Sequence, residues 1–186
     1  MNDPGDRSVM TARHPLPRTA ETRQVLLDQL AHLVEEAAAL KRFVDLVPPP
    51  VLEGRPLESD PSIKEIYGML VACDERVYGP AVLQCAVSEE VSVEAPDEAD
   101  LEGATWNAVD MLELLERVQS ARSNLVQRLA RLPAELWCRT KVTLGESTDL
   151  YGLADHIIQH DAVLLRTAAH RLHESKLTSR DEDLPK

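Results

Sequence analysis

Aromatic residues and cysteines are scarce in this sequence of 186 residues. It contains one Phe, two Trp and three Tyr, and none of its three cysteines has Cys-x-x-Cys spacing. This pattern argues against a disulfide framework and a structural zinc site, and it favours reduced thiols in a cytoplasmic protein. The Gly-x-Ser-x-Gly, phosphate-loop and His-Glu-x-x-His patterns are also absent, so the mechanisms they serve have no support.

Basic residues are also few, with 20 Lys and Arg against 32 Asp and Glu, which gives a formal net charge of -12. Such a chain repels phosphate backbones and anionic lipids, so we expect neither nucleic acid nor a membrane as a partner. No apolar run reaches the roughly 20 residues of a membrane-spanning helix. The first residues also lack the apolar middle of a secretory signal, which again favours the cytoplasm.

Apolar residues instead recur at steps of three and four, as in amphipathic helices. The first such segment begins after Thr19, a suitable N-cap, and is stopped by the prolines that start at Pro48. The second is predicted from about Ser62, which opens a capping-box pattern, to Cys85, with a bend near Pro80.

Two further helices are predicted in the second half of the chain. The third should run from about Trp106 to Arg131, because Pro133 ends its periodic pattern. The fourth should begin near Ser147 or the residue after it and end at about His173.

The connections between these helices differ in character. Residues 51–60 contain Pro and Gly and form a long link, residues 88–100 are acidic and favour a loop over a strand, and residues 135–146 are extended or irregular. Four helices joined in this way predict an all-α fold, an up-down four-helix bundle with a long connection between helices 1 and 2.

Three sequence regions follow from these patterns. Residues 1–18 carry several prolines and no apolar period, so we expect a disordered N-terminal segment. The bundle occupies residues 19–173. Residues 174–186 form a charged C-terminal tail with few apolar residues, for which we also expect disorder.

His160 is the first candidate for chemistry, because it falls in the inward seam of the fourth helix. An unpaired buried imidazole would cost about 1–3 kcal/mol, so His160 needs a partner, either as a satisfied core histidine or as a ligand or catalytic group. His156 lies four residues earlier and faces the same way. Two histidines alone do not make a catalytic zinc site, which uses three protein ligands and a water.

Several stretches carry a resemblance to a known family. They are 62–70 (SIKEIYGML) with 74–76 (DER) on helix two, and 136–137 (LW) with 150–161 (LYGLADHIIQHD) near the end. Together with the helix order, they resemble the damage-inducible, DinB-like family over about residues 19–173. The resemblance implies a four-helix bundle in a group that includes metal-dependent proteins and thiol-dependent isomerases.

Members of that family with intact sites bind zinc, nickel or another divalent metal through three histidines. By resemblance, their positions correspond here to Met69, His160 and Leu164, of which only His160 is a histidine. The family triad is therefore expected to be largely lost. Met69 and Leu164 are interpreted as apolar residues where ligands would otherwise lie.

Three hypotheses about function remain open. The preferred one is a bundle of unresolved activity, without a metal cofactor, that binds a small molecule or a protein through a remnant pocket of Met69, Cys73, His160 and Leu164. The alternative is a Zn- or Ni-dependent transferase or hydrolase that acts with a low-molecular-weight thiol through a rearranged His160 site. Its further ligands would come from His156, Cys73 or Asp74. The third is a mainly structural homodimer.

Overall fold

The computed structural model describes residues 16–55, 57, 60–93, 105–144 and 146–181. Four long helical segments form an all-α bundle, as predicted. In chain order, the helices are α1 (Ala20–Leu40), α2 (Pro49–Glu53), α3 (Ile63–Ala72), a π-helix (Cys73–Tyr78), α4 (Gly79–Cys85), α5 (Met111–Arg131), α6 (Ala134–Arg139) and α7 (Leu150–Asp181). Short 3-10 turns lie at Val44–Leu46 and Trp106–Ala108. The bundle helices are α1, the continuous α3–π–α4 segment, α5 and α7.

Side-chain caps fix the starts of four of these helices, including α7, where the Gly152 N–H donates to Asp149 Oδ1 at 2.9 Å. The Thr19 hydroxyl accepts the Thr22 N–H at 3.1 Å at the start of α1, as predicted. At the start of α3, the Ser62 hydroxyl accepts the Glu65 N–H at 3.1 Å, while the Ser62 N–H donates to the Glu65 carboxylate at 2.6 Å. This is the predicted capping box, which satisfies two otherwise unpaired N–H groups. Asp110 caps α5 in a similar way.

Hydrogen bonds between helices define their directions around α1. Arg23, near the start of α1, donates to the carbonyl of Leu132, just after the end of α5, at 3.0 Å. The two helices are therefore antiparallel. At the start of α7, the Tyr151 hydroxyl donates to the carbonyl of Thr19 at 3.1 Å, so α7 and α1 begin at the same end and run parallel.

The second and third bundle segments run in the same direction. Arg117 of α5 pairs with Glu75 at 3.1 Å. Further toward the C-terminal end of both segments, Arg128 donates to the carbonyl of Gly79 at 3.4 Å. The direction order is thus up, down, down, up, which refines the predicted up-down topology. Two parallel neighbours need a connection that returns along the bundle, and this explains the long link between Cys85 and α5.

A small sheet lies beside this return connection. Its strands are β1 (Glu90–Ser92), β2 (Lys141–Leu144) and β3 (Glu146–Thr148), with β1 parallel and β3 antiparallel to β2. The prediction of a loop over residues 88–100 is therefore wrong for β1, and residues 94–100 lie outside the described part of the chain. Val91 and Val142 are buried at the centre of the β1–β2 pair, which anchors the sheet to the bundle.

Several helix boundaries also differ from the prediction. The first helix ends at Leu40, the third begins at Met111 after its 3-10 turn, and residues 134–139 form a helix rather than an irregular stretch. The last helix continues to Asp181 instead of ending near His173. Leu16 packs against the core and Arg18 pairs with Asp149 at 2.8 Å. The disorder predicted for residues 1–15 and 182–186 falls outside the described residues.

The apolar core consists of two clusters along the bundle axis. The first lies near the sheet and includes Leu30, Cys73, Val77, Leu125, Leu129 and Ile157. The second lies toward α2 and includes Leu33, Ile66, Leu70, Leu114, Val118 and Ala168. None of the described helices is both long and apolar enough to cross a membrane.

Candidate functional site

Three buried charged residues lie between the two apolar clusters and form what we call the charged layer. Asp74 comes from the π-helix, Arg122 from α5 and Asp161 from α7. Arg122 is 0% exposed, and both carboxylates are buried as well. Charged side chains are almost never fully buried unless they are paired, so this layer is the most unusual feature of the core.

Arg122 is hydrogen-bonded to both carboxylates at once. Its Nε and Nη2 atoms donate to Asp74 Oδ2 and Oδ1 at 2.8 and 3.1 Å. Its Nη1 and Nη2 atoms donate to Asp161, the second of these bonds reaching Oδ1 at 3.0 Å. All four carboxylate oxygens therefore accept from one guanidinium. This planar, bidentate geometry is the arrangement that arginine favours with carboxylates.

The local sequence explains why Asp74 projects into the core from a π-helix. Pro80 has no N–H, and its ring crowds the carbonyl one turn earlier, so the regular α ladder is interrupted just before it. The Gly79 N–H instead reaches back to the carbonyl of Asp74. A Cβ at Gly79 would lie 2.7 Å from that carbonyl oxygen, so the close approach requires glycine. This π-helix lies just before Pro80, where a bend was predicted, and π-helices often mark functional sites.

The electrostatics of the layer are unbalanced, because two carboxylates share one guanidinium. Burial raises the pKa of Asp74 to about 6, in spite of the opposing attraction of Arg122. Burial also opposes the charge of Arg122, but the attraction of Asp74 and Asp161 outweighs it and raises the pKa of Arg122. Arg122 is therefore a permanent cation, and the layer carries one excess negative charge when both carboxylates are ionised.

Cys73 and Tyr78 lie beside the charged layer, but neither is poised as a nucleophile. Burial raises the pKa of the Cys73 thiol to about 11, and the charges of Asp74 and Asp161 add to this effect. Burial likewise raises the pKa of Tyr78. At neutral pH both groups are protonated, whereas the thiolate is the form of cysteine that attacks substrates and binds metals.

The two predicted histidines lie at the edge of the layer. The side chain of His160 is 33% exposed, so Asp161, rather than His160, holds the inward position on this turn of α7. His160 Nδ1 lies 3.9 Å from Asp161 Oδ1 and is buried without a hydrogen-bond partner. His156 is exposed. Both imidazole rings meet the Tyr78 ring edge-on, with a centroid distance of 6.4 Å for His156 and 6.3 Å for His160.

The remaining residues of the predicted remnant pocket lie on either side of the layer. Met69 and Leu164 are partly buried and pack against the second apolar cluster. Cys73 belongs to the first cluster. Their use as a single ligand pocket remains a prediction.

The predicted metal ligands can be tested against this geometry. In the described ranges, no group of three or more His, Cys, Asp or Glu side chains is arranged to hold a metal ion. Both oxygens of Asp74 already accept from Arg122, and the Cys73 thiol is protonated. These side chains therefore do not fit a divalent ion as they are arranged.

A surface groove between the parallel helices α1 and α7, which we call the α1–α7 groove, reaches the charged layer from outside. Its first section has a volume of about 340 Å³, and its lining includes His32, Leu33, Glu36, Ile158, Asp161, Ala162 and Leu165. A second section of about 340 Å³ continues along the helices, with a lining that includes Leu40, Phe43, Tyr67, Leu165, Ala168 and Leu172. The two sections share Glu36 and Leu165, so they adjoin along the same two helices, and the name covers both.

Comparison with known proteins identifies the fold. No family model matches the sequence, and no curated protein matches it significantly. Among solved structures, the chain is similar to YfiT from Bacillus subtilis, described as a probable metal-dependent hydrolase with an unusual four-helix bundle topology. The TM-score is 0.61 at 15% sequence identity, over 84% of this chain and 92% of that one. The chain therefore has the YfiT-like, DinB-like four-helix bundle fold, which confirms the predicted resemblance at the level of the fold.

Proposed function

We propose that this protein is a binding bundle that takes up a small organic molecule without using a divalent metal. One observation carries the proposal: at the centre of the bundle, both carboxylate oxygens of Asp74 and both of Asp161 accept hydrogen bonds from the guanidinium of Arg122. Carboxylates that are held by a buried arginine are poor candidates for metal ligands, because the metal would have to displace a permanent cation.

The surroundings of the layer support a binding role over a catalytic one. Cys73 is held as a thiol and Tyr78 as a phenol, so neither is prepared for nucleophilic attack at neutral pH. The α1–α7 groove, in contrast, has the volume of a small-molecule site, with polar and acidic groups in its first section and a mostly apolar lining in its second.

A rearranged metal site is the second candidate, because His160 Nδ1 is buried without a hydrogen-bond partner. Zinc or nickel held by His160 and His156, with Cys73 or Asp74 as a third ligand after a local rearrangement, would support a transferase or hydrolase that acts with a low-molecular-weight thiol. The fold similarity to a probable metal-dependent hydrolase makes this candidate worth testing. The homodimer inferred from the family resemblance also remains a proposal, which light scattering at high micromolar concentration would test.

Metal content distinguishes the two candidates. The protein is purified without a metal-binding tag, and zinc, nickel, manganese, copper and iron are measured by elemental mass spectrometry before and after each metal is offered. We expect far less than one metal per chain. Near-stoichiometric metal that is lost in His160→Ala, but kept in the control His173→Ala at an exposed position of the same helix, would contradict the proposal.

A further inference from the structure

We propose that the ligand of the α1–α7 groove is an organic cation with an apolar tail, such as an alkylammonium. The inference rests on the proposed binding function and adds the chemical class of the ligand. It combines an acidic first section, which is continuous with the charged layer, and an apolar second section along the same two helices.

The excess negative charge of the layer reaches the groove through Asp161. The side chain of Asp74 is only 1% exposed, whereas that of Asp161 is 9% exposed and lines the first section. Glu36, 44% exposed, lines the same section from α1. A cation placed between these two helices would meet the Glu36 carboxylate and the Asp161 carboxylate. Asp161 shares one arginine with Asp74, and His160 Nδ1 lies 3.9 Å from its Oδ1. Low exposure strengthens such an interaction, because solvent screens it less.

Among the described residues that line the first section, none is Lys or Arg. His32 is the basic group there, and its two ring nitrogens each lie 3.6 Å from a carboxylate, one of Glu35 and one of Glu36. Even when it is protonated, His32 is therefore shared between two acidic groups. The net charge of the chain, -12, also attracts cations and repels anions over a longer range.

The second section fits the tail of such a ligand. Leu40, Leu165, Ala168 and Leu172 give it an apolar lining, and Phe43 is exposed at its side. Asp161 and Leu172 are eleven residues apart on α7, which corresponds to about 16 Å along the helix axis. The groove therefore accommodates an extended chain whose charged end lies near Asp161 and Glu36.

Binding of octylammonium, octanol and octanoate, measured by isothermal titration calorimetry with EDTA-treated protein, tests the chemical class. Octylammonium should bind tighter than octanol, and octanoate weakest. Butylammonium should bind more weakly than octylammonium, because each buried methylene strengthens binding by about fourfold.

Two matched pairs of variants test the location. Glu36→Gln should weaken octylammonium binding about threefold, while Glu35→Gln should leave it unchanged, because Glu35 contacts His32 but does not line the groove. Ala162→Lys places a cation in the first section and should weaken binding by about tenfold. Val163→Lys makes the same charge change at the next, 61% exposed position and should have little effect.

Each alternative result overturns the inference without affecting the metal measurement that decides the proposed function. Octanol or octanoate binding as tightly as octylammonium would show a groove that does not select cations. Equal effects of Ala162→Lys and Val163→Lys would show general charge attraction, and an absence of binding by all probes would exclude this ligand class.

Discussion

Replacing Asp74 by asparagine should leave the protein as stable as before or make it more stable at neutral pH, although it removes one partner of a buried ion pair. The pKa of Asp74 is about 6 in the folded protein, against an ordinary value of 3.8. Between these values the folded state binds more protons than the unfolded state. The free energy of unfolding therefore falls as the pH rises through this window. Above about pH 6, Asp74 is ionised in both states and its contribution falls no further.

The size of the effect follows from the same two values. A difference of about 2 pH units corresponds to about 3 kcal/mol, which is the cost of keeping the Asp74 carboxylate ionised at neutral pH. Asparagine is a neutral substitute of nearly the same shape, and it leaves Arg122 in a one-to-one pair with Asp161. We expect Asp74→Asn to raise the free energy of unfolding by between zero and about 3 kcal/mol near neutral pH, and to change it little near pH 4.

Urea unfolding followed by circular dichroism over this pH range provides the measurement. The control is Glu75→Gln, the same chemical change at the next residue, whose half-exposed pair with Arg117 contributes at most about 1 kcal/mol. Arg122→Met provides the contrast, because it leaves two buried carboxylates without their partner and should cost about 3–5 kcal/mol. A loss of several kcal/mol in Asp74→Asn, or an unchanged pH dependence between pH 4 and 6, would refute the reasoning.

Three further predictions concern packing, capping and reactivity. Gly68→Ala should lower the free energy of unfolding by about 2 kcal/mol or more, because its Cβ would lie 2.2 Å from the buried ring of Trp106; thermal unfolding measures this, and an unchanged midpoint would contradict it. Ser62→Ala should lower the free energy of unfolding by about 1–2 kcal/mol through loss of the α3 cap. Urea unfolding measures this, and an unchanged free energy of unfolding would contradict it. A thiol reagent at neutral pH should label the native protein once, at the exposed Cys138, as measured by intact mass spectrometry. Additional labels, on the two buried cysteines, would contradict this prediction.

Much of the fold was predictable because its signals are local. Thr19 and the Ser62–Glu65 box mark helix starts within a single turn, and both caps are present. β1 was missed because it has only three residues and its partner strand, which begins at Lys141, is about 50 residues away along the chain. Its alternation of exposed and buried residues is too short to separate from an acidic loop. The end of α7 was placed too early, because the apolar period fades before the helical backbone ends.

The candidate site was only partly predicted, because the histidines were taken as the chemically important side chains and the buried charged residues were not considered together. On α5, the buried series Val118, Arg122, Leu125 and Leu129 advances by steps of four, three and four, so Arg122 occupies a regular position in the apolar seam. On α7, Ile157 and Asp161 are one such step apart. A charged residue in a seam was therefore visible in the sequence on two helices.

Taken singly, each of these charges looks like an exception to the helical pattern, since burying an unpaired charge costs several kcal/mol. Taken together, they predict one another: an arginine in one seam requires carboxylates from its neighbours, and Asp74 and Asp161 are acidic residues at inward positions of the other two helices. The remaining imbalance of one negative charge has no partner inside this triad. Because this imbalance lies next to a groove lined by Asp161 and Glu36, the proposed binding of a cation rests on the charges of the core as well as on those of the surface.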